Sequence, residues 1–220
     1  MKHAVIFDMD GVLIDSQPLH YQIDICVLER CGHQVTLKDV TPYTGHSNQL
    51  RWPKYKAAYG LTQTVEELSQ MAEQAMMEIF SKEELVPIEG IPALLQNIKE
   101  AGMHIGVASA SPLILVQMVL ERTGIGKYFD SITSVEEVKE SKPAPDIYLC
   151  AAAKSGYTIA QCIAIEDSPA GIKAATSAGL TCIAYKNPNT AGQDFTLANH
   201  VVSHFDQCMD IIKAAGGVSK

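Results

Sequence analysis

The sequence contains no CxxC pair, no internal repeat, no low-complexity linker and no apolar run near the ~18 residues that cross a membrane. Each absence removes a class of protein. Cys26, Cys31, Cys150, Cys162, Cys182 and Cys208 are scattered, so they suggest neither a disulfide scaffold nor a cysteine metal site. They read as free thiols filling apolar space in a reducing compartment, and a cytoplasmic location is expected. The opening stretch MKHAVIFDMDG is interrupted by acids at once, which argues against a signal peptide. Basic residues are also in deficit. Lys plus Arg number 17 against 25 Asp plus Glu, a formal net charge of -8. That balance speaks against nucleic acid or an anionic membrane as partner. It leaves anionic substrates open, because a metal ion and one or two placed cations can reverse the local field.

What is present is apolar material, 47% of 220 residues, enough for one sizeable core with or without a small second module. Short apolar runs alternate with helix-period segments. Strands are expected at His3 to Phe7, Met103 to Ala108, Ser131 to Ser134, Cys162 to Ile165 and Thr181 to Tyr185. Helices are expected at Ile91 to Ala101, Pro112 to Arg122, Asp146 to Ser155 and Ala170 to Ala178. Such alternation predicts an α/β fold with a parallel sheet covered on both faces. From Gln17 to Pro87 the rhythm breaks. Only helical patterns occur there, at Leu19 to Cys31, Gln49 to Tyr59 and Val65 to Ser81. In the last, Leu68, Met71, Ala72, Ala75, Met76 and Ile79 recur at spacings of three and four, an amphipathic face read as core. An inserted helical module is expected: residues 17–86 as a helical domain, 1–16 and 87–220 as the α/β core.

Four stretches carry chemistry, and three of them close expected strands, where ligands of open parallel sheets bind. In FDMDGVLIDS, Asp8 and Asp10 end a very apolar strand. Two like charges so close need compensation, and a hard divalent cation with oxygen ligands supplies it. One carboxylate could attack phosphorus while the other shuttles a proton. A solvated acidic turn would look the same. In VASASP, a strand gives way to Ser109, Ala110 and Ser111, with Ser111 as N-cap and Pro112 as first helical residue. Free backbone N–H groups at such a start can hold an anion. In IEDSP, Glu166 and Asp167 end another strand; helix-dipole complementation is the alternative account. In SKPAPD, Lys142 sits in a loop, where a lysine is ordinarily only solvated, although an acidic phosphate site needs a positive point charge.

Together, in this order, these stretches resemble the four motifs of the haloacid dehalogenase-like hydrolase superfamily. GVLIDSQPLH, VASASPL, SKPAPDIYL and IEDSPAGIKAA are similar to its β-phosphoglucomutase-like subfamily, which includes hexose- and hexitol-phosphate phosphatases. The resemblance covers essentially the whole chain. It implies a Rossmann-like core with a helical cap inserted after the first motif, and the cofactor Mg²⁺. It implies Asp8 as nucleophile and Asp10 as general acid and then base, with the Asp10 carbonyl on the metal. Glu166 and Asp167 would hold Mg²⁺ together with Asp8. Ser109, the Ala110 N–H and Lys142 would hold the transferring phosphoryl oxygens.

The resemblance also places a substrate-facing loop at Tyr43 to Arg51. Gly45, His46, Ser47, Asn48 and Arg51 are then candidate substrate-binding positions, with His20 as the residue linking cap to general acid. Mutases of the family read G-x-S-R in this loop, and the Arg grips a second phosphate. Asn48 stands at that position here, with Arg51 one turn on. A phosphatase acting on a small sugar or polyol phosphate is therefore expected ahead of a hexose-phosphate mutase. A non-catalytic sugar-phosphate-binding relative is a third reading, disfavoured because every motif residue is retained. Monomer is the default for a chain of this size.

Overall fold

Ala4–Phe7, four apolar residues, forms β1 in a computed structural model that describes residues 4–43, 48–189 and 193–215. The other strands are β2 (His104–Ala108), β3 (Ser131–Thr133), β4 (Cys162–Glu166), β5 (Thr181–Tyr185) and β6 (His200–Val202). They form one parallel sheet in the order β3-β2-β1-β4-β5-β6. Central strands of such a sheet are covered on both faces, which is why β1 is an unbroken buried run, without alternation. The helices are α1 (Gln17–Arg30), α2 (Leu37–Val40), α3 (Asn48–Tyr59), α4 (Val65–Lys82), α5 (Ile91–Glu100), α6 (Leu113–Arg122), α7 (Asp146–Ser155), α8 (Pro169–Ser177) and α9 (Cys208–Ala215). The architecture is the α/β parallel sheet that the alternation of elements implies, and it is Rossmann-like, as the resemblance implies.

Register decides what meets at the sheet's carboxyl edge. Phe7 is level with Val107 of β2 and with Ile165 of β4. The next residue of each strand, Asp8, Ala108 and Glu166, therefore leaves the sheet at one level. Strand order reverses around β1, the place where ligands bind in open α/β sheets.

The chain divides into two compact units, Met1–Asp15 with Leu85–Lys220, and Ser16–Glu84. The second unit holds only helices among its described residues, α1 to α4 and a short 3₁₀ turn at Thr41–Tyr43. Helix α4 starts on a capping box: the Glu67 N–H donates to Thr64 Oγ1, and the Thr64 N–H donates to Glu67 Oε2. Leu68, Ala72, Ala75 and Phe80 of α4 are buried, while Met71, Met76 and Ile79 are half-buried around them. All six cysteines are free. Among the described residues no helix is long and apolar enough to cross a membrane.

Some elements differ from expectation. The edge strand β6 was not foreseen, because it has three residues and only Val202 is buried. Without burial on two faces it carries no apolar run. The start of α6 is also different. Pro112, not Ser111, occupies the N-cap position. The hydroxyl of Ser111 is engaged elsewhere, and the Glu136 carboxylate takes the Leu113 N–H instead. By contrast Ser168 caps α8 through the Gly171 N–H, with Pro169 first in the helix.

Candidate active site

The site is built from the ends of β1, β2 and β4. After Phe7 the chain makes a tight turn organised on one acceptor: the N–H groups of Leu13 and Ile14 donate to the Met9 carbonyl at 2.9 and 3.2 Å. Gly11 sits in this turn at φ +80. A Cβ added there would lie 2.1 Å from Asp167 Oδ2, so only glycine lets the Asp167 carboxylate close over the turn. A similar cradle holds Glu166: a Cβ on Gly171, in the first turn of α8, would meet Glu166 Oε1 at 1.7 Å.

Three carboxylates result. Asp8, Glu166 and Asp167 are all buried, and each offers an oxygen within 4.8 Å of the others. One ammonium lies among them. Lys142 Nζ donates to Asp8 Oδ1 at 2.6 Å, to Glu166 Oε1 at 2.7 Å and to the Ala108 carbonyl at 3.0 Å. A single cation cannot offset three buried acids. Burial, then the Glu166 charge, push Asp8 up to about 8 against the opposing pull of Lys142. Burial pulls Lys142 down, but the Asp8 and Glu166 charges together hold it above the ordinary lysine value. A site with this charge excess and only oxygen donors suits a hard divalent cation.

Glu166 is densely bonded. Oε1 also accepts the Tyr148 hydroxyl at 2.9 Å; Oε2 accepts the N–H groups of Asp167 and Ser168 at 3.0 and 3.2 Å and the Ser168 hydroxyl at 3.2 Å. Ser109 is fully buried at the end of β2, its Oγ accepting the Ser111 N–H at 3.0 Å. The Ser111 hydroxyl donates to Asp10 Oδ2 at 3.0 Å and orients that half-buried carboxyl. Ala110, between the two serines, is exposed.

Asp8, Asp10, Ser109, Lys142, Glu166 and Asp167 thus gather within the first unit. The helical-unit candidates have their own setting. Arg51 Nη1 pairs with the buried Asp24 at 3.3 Å, and its Nη2 donates to Asn48 Oδ1 at 2.6 Å. The Tyr55 hydroxyl donates to Asp24 Oδ2 at 2.8 Å. The His20 ring stands edge-on to Phe80, centroids 6.2 Å apart. Gly45, His46 and Ser47 lie outside the described residues.

Several contributors escaped the sequence. Tyr148 falls both in the helical pattern from Asp146 and in the stretch SKPAPDIYL, six residues after Lys142, and nothing there marks its hydroxyl as a contributor. The buried Asn187 donates to the Gly11 carbonyl at 3.0 Å, and Gln193 donates to the Asp167 carbonyl at 3.0 Å. Both follow β5, in a stretch with no motif to mark it.

The chain has relatives among known proteins. Residues 5–185 match the haloacid dehalogenase-like hydrolase family. The chain is 34% identical over 190 residues to the chloroplastic protein SUPPRESSOR OF QUENCHING 1 of Arabidopsis thaliana. That match takes in 83% of this chain but only 18% of the much longer plant protein. It is 32% identical over 201 residues to hexitol phosphatase B of Escherichia coli (strain K12), covering 89% of each. A crystal structure of β-phosphoglucomutase from Clostridium difficile superposes with a TM-score of 0.78 at 28% identity, covering 98% of this chain and 97% of that one.

Proposed function

This chain belongs to the haloacid dehalogenase-like hydrolase family, and we propose that it hydrolyses a small sugar or polyol phosphate through an aspartyl-phosphate at Asp8, with Mg²⁺ bound. The class of activity, phosphoric monoester hydrolysis, is that of the full-length relatives named as phosphatases. One observation carries the finer reading: three buried carboxylates around a single buried lysine, at the carboxyl edge of the sheet.

Asp8, Glu166 and Asp167 would hold the metal, with the Asp10 carbonyl. Bound there, Mg²⁺ supplies positive charge to the oxygens of the transferring phosphoryl group. An Asp8 oxygen attacks phosphorus as the bond to the substrate oxygen breaks, and Asp10, oriented by Ser111, gives a proton to that leaving oxygen. Asp10 then takes a proton from water, which attacks phosphorus and returns Asp8. The Ser109 hydroxyl, the Ala110 N–H and Lys142 surround the phosphoryl oxygens, a preorganised set of donors for a loose transition state.

The mutase alternative has support in the likeness to a β-phosphoglucomutase. Two observations favour hydrolysis. Asn48 stands where the mutase loop is expected to place its arginine. Arg51, one turn on, is engaged by Asp24 and Asn48, so it is no uncommitted cation for a second phosphate.

Phosphate release from a panel of hexose, hexitol and nucleotide monophosphates, with and without Mg²⁺, tests the proposal. Metal-dependent release from the hexose or hexitol members is expected. Interconversion of hexose phosphates without net release would overturn hydrolysis in favour of the mutase.

A further inference from the structure

Lys142 has three N–H donors, and a buried ammonium needs all three occupied. They are committed to Asp8 Oδ1, Glu166 Oε1 and the Ala108 carbonyl. A phosphoryl oxygen arriving beside Asp8 can accept its own hydrogen bond from Lys142 only if one of these bonds is released. The bond to Asp8 aims the nucleophile. The Ala108 carbonyl is backbone at the end of β2, fixed in place. The Glu166 bond is the one whose loss is best covered. The Tyr148 hydroxyl remains on the same oxygen at 2.9 Å, and Oε2 keeps two N–H donors and the Ser168 hydroxyl.

Tyr148 is suited to that task by its packing. It is fully buried in α7, within the cluster that includes Ala108, Ile147, Ala164 and Cys182. Its ring centroid lies 5.2 Å from Lys142 Nζ, so the aromatic face stands beside the ammonium while the hydroxyl reaches the carboxylate. An ordinary core tyrosine would need only one partner for its hydroxyl. This one chooses the oxygen that the proposed phosphate-binding lysine also uses.

We propose that Tyr148 is a positioning residue for phosphoryl transfer: by sharing Glu166 Oε1 with Lys142, its hydroxyl lets the ammonium exchange Glu166 for a phosphoryl oxygen without leaving a buried carboxylate oxygen bare. The proposal rests on the phosphatase reading given above. Replacing the hydroxyl by hydrogen leaves Lys142 as the remaining side-chain donor to Oε1 and pins it there. The penalty then falls on the step in which Lys142 moves, not on substrate or metal binding.

The test compares Tyr148→Phe, Tyr148→Leu and the unmodified enzyme with a hexitol phosphate, measuring kcat, KM, the Mg²⁺ half-saturation and the thermal midpoint. Tyr148→Phe is expected to lower kcat about tenfold while KM and Mg²⁺ half-saturation stay within about twofold. An unchanged kcat in Tyr148→Phe overturns the proposal. So does a loss confined to Tyr148→Leu, or one that tracks the thermal midpoint across the two variants, because ring packing then explains it. A Mg²⁺ half-saturation that rises in step with the kcat loss also overturns it, since Tyr148 would then act through the metal ligands. Absence of phosphate release by the unmodified enzyme from every hexose and hexitol phosphate of the panel would instead sink the underlying phosphatase reading, a result separate from all of these.

Discussion

Asp8→Asn is expected to lower kcat by at least about a thousandfold, with the fold retained. The amide keeps the size and shape of the carboxylate but is a poor nucleophile toward phosphorus. It also removes one of three crowded acids. Burial and the Glu166 charge oppose ionisation of Asp8, so its replacement relieves repulsion and leaves stability equal or higher in metal-free buffer. Activity against a hexitol phosphate and a thermal melt in chelator measure the two halves of the expectation. Turnover near that of the unmodified enzyme would remove Asp8 from the nucleophile's role.

Lys142→Met is expected to act in the opposite sense on stability. Its aliphatic chain is of similar length, so packing is largely kept while the charge is lost. Asp8 Oδ1, Glu166 Oε1 and the Ala108 carbonyl each lose a donor in a buried setting. Breaking a buried pair in this way costs about 3–5 kcal/mol. Part of that cost returns when a divalent cation binds, because Mg²⁺ offsets the same carboxylates. The measurement is denaturant unfolding in chelator and in saturating Mg²⁺. A large loss that narrows with Mg²⁺ fits the account, together with a fall in kcat of about a hundredfold or more. Equal stability of variant and parent in chelator would mean that Lys142 is not what holds the acids together.

How far sequence leads to this site depends on the kind of signal each residue leaves. Asp8, Glu166 and Ser109 announce themselves because an apolar strand, buried on both faces, ends abruptly in a polar residue. The eye is led to the end of each run, and parallel pairing then brings those ends to one level. Lys142 leaves a weaker mark, a loop lysine before a proline, and draws its meaning from the acids elsewhere in the chain. Tyr148 leaves almost none. On α7 it is one apolar residue in a helical pattern, and only the fold reveals that its hydroxyl ends on Glu166. Asn187 and Gln193 follow β5, where amide side chains are ordinary loop composition, so their hold on the turn at Gly11 and on Asp167 could not be foreseen. Ser111 was legible but misread. A serine before a proline at a helix start suggests a cap, yet the helix begins one residue later, with Pro112 at the N-cap position and Glu136 accepting the Leu113 N–H. In the helical unit, amphipathic spacing marks α4 well. It says nothing of the buried Asp24 with Arg51 and Tyr55, because a charged pair inside a small helical bundle breaks the very pattern used to find cores.

The central claim is that the phosphoryl group passes through Asp8. The most direct measurement is an acid quench of the enzyme in the first turnover with a hexitol phosphate and Mg²⁺, followed by mass spectrometry of the peptide that contains Asp8. A phosphoryl adduct on Asp8, labile to hydroxylamine and absent from Asp8→Asn, is the predicted result. Phosphate release at full rate with no adduct at any quench time, and with inversion rather than retention of configuration at a chiral phosphorus, would contradict it.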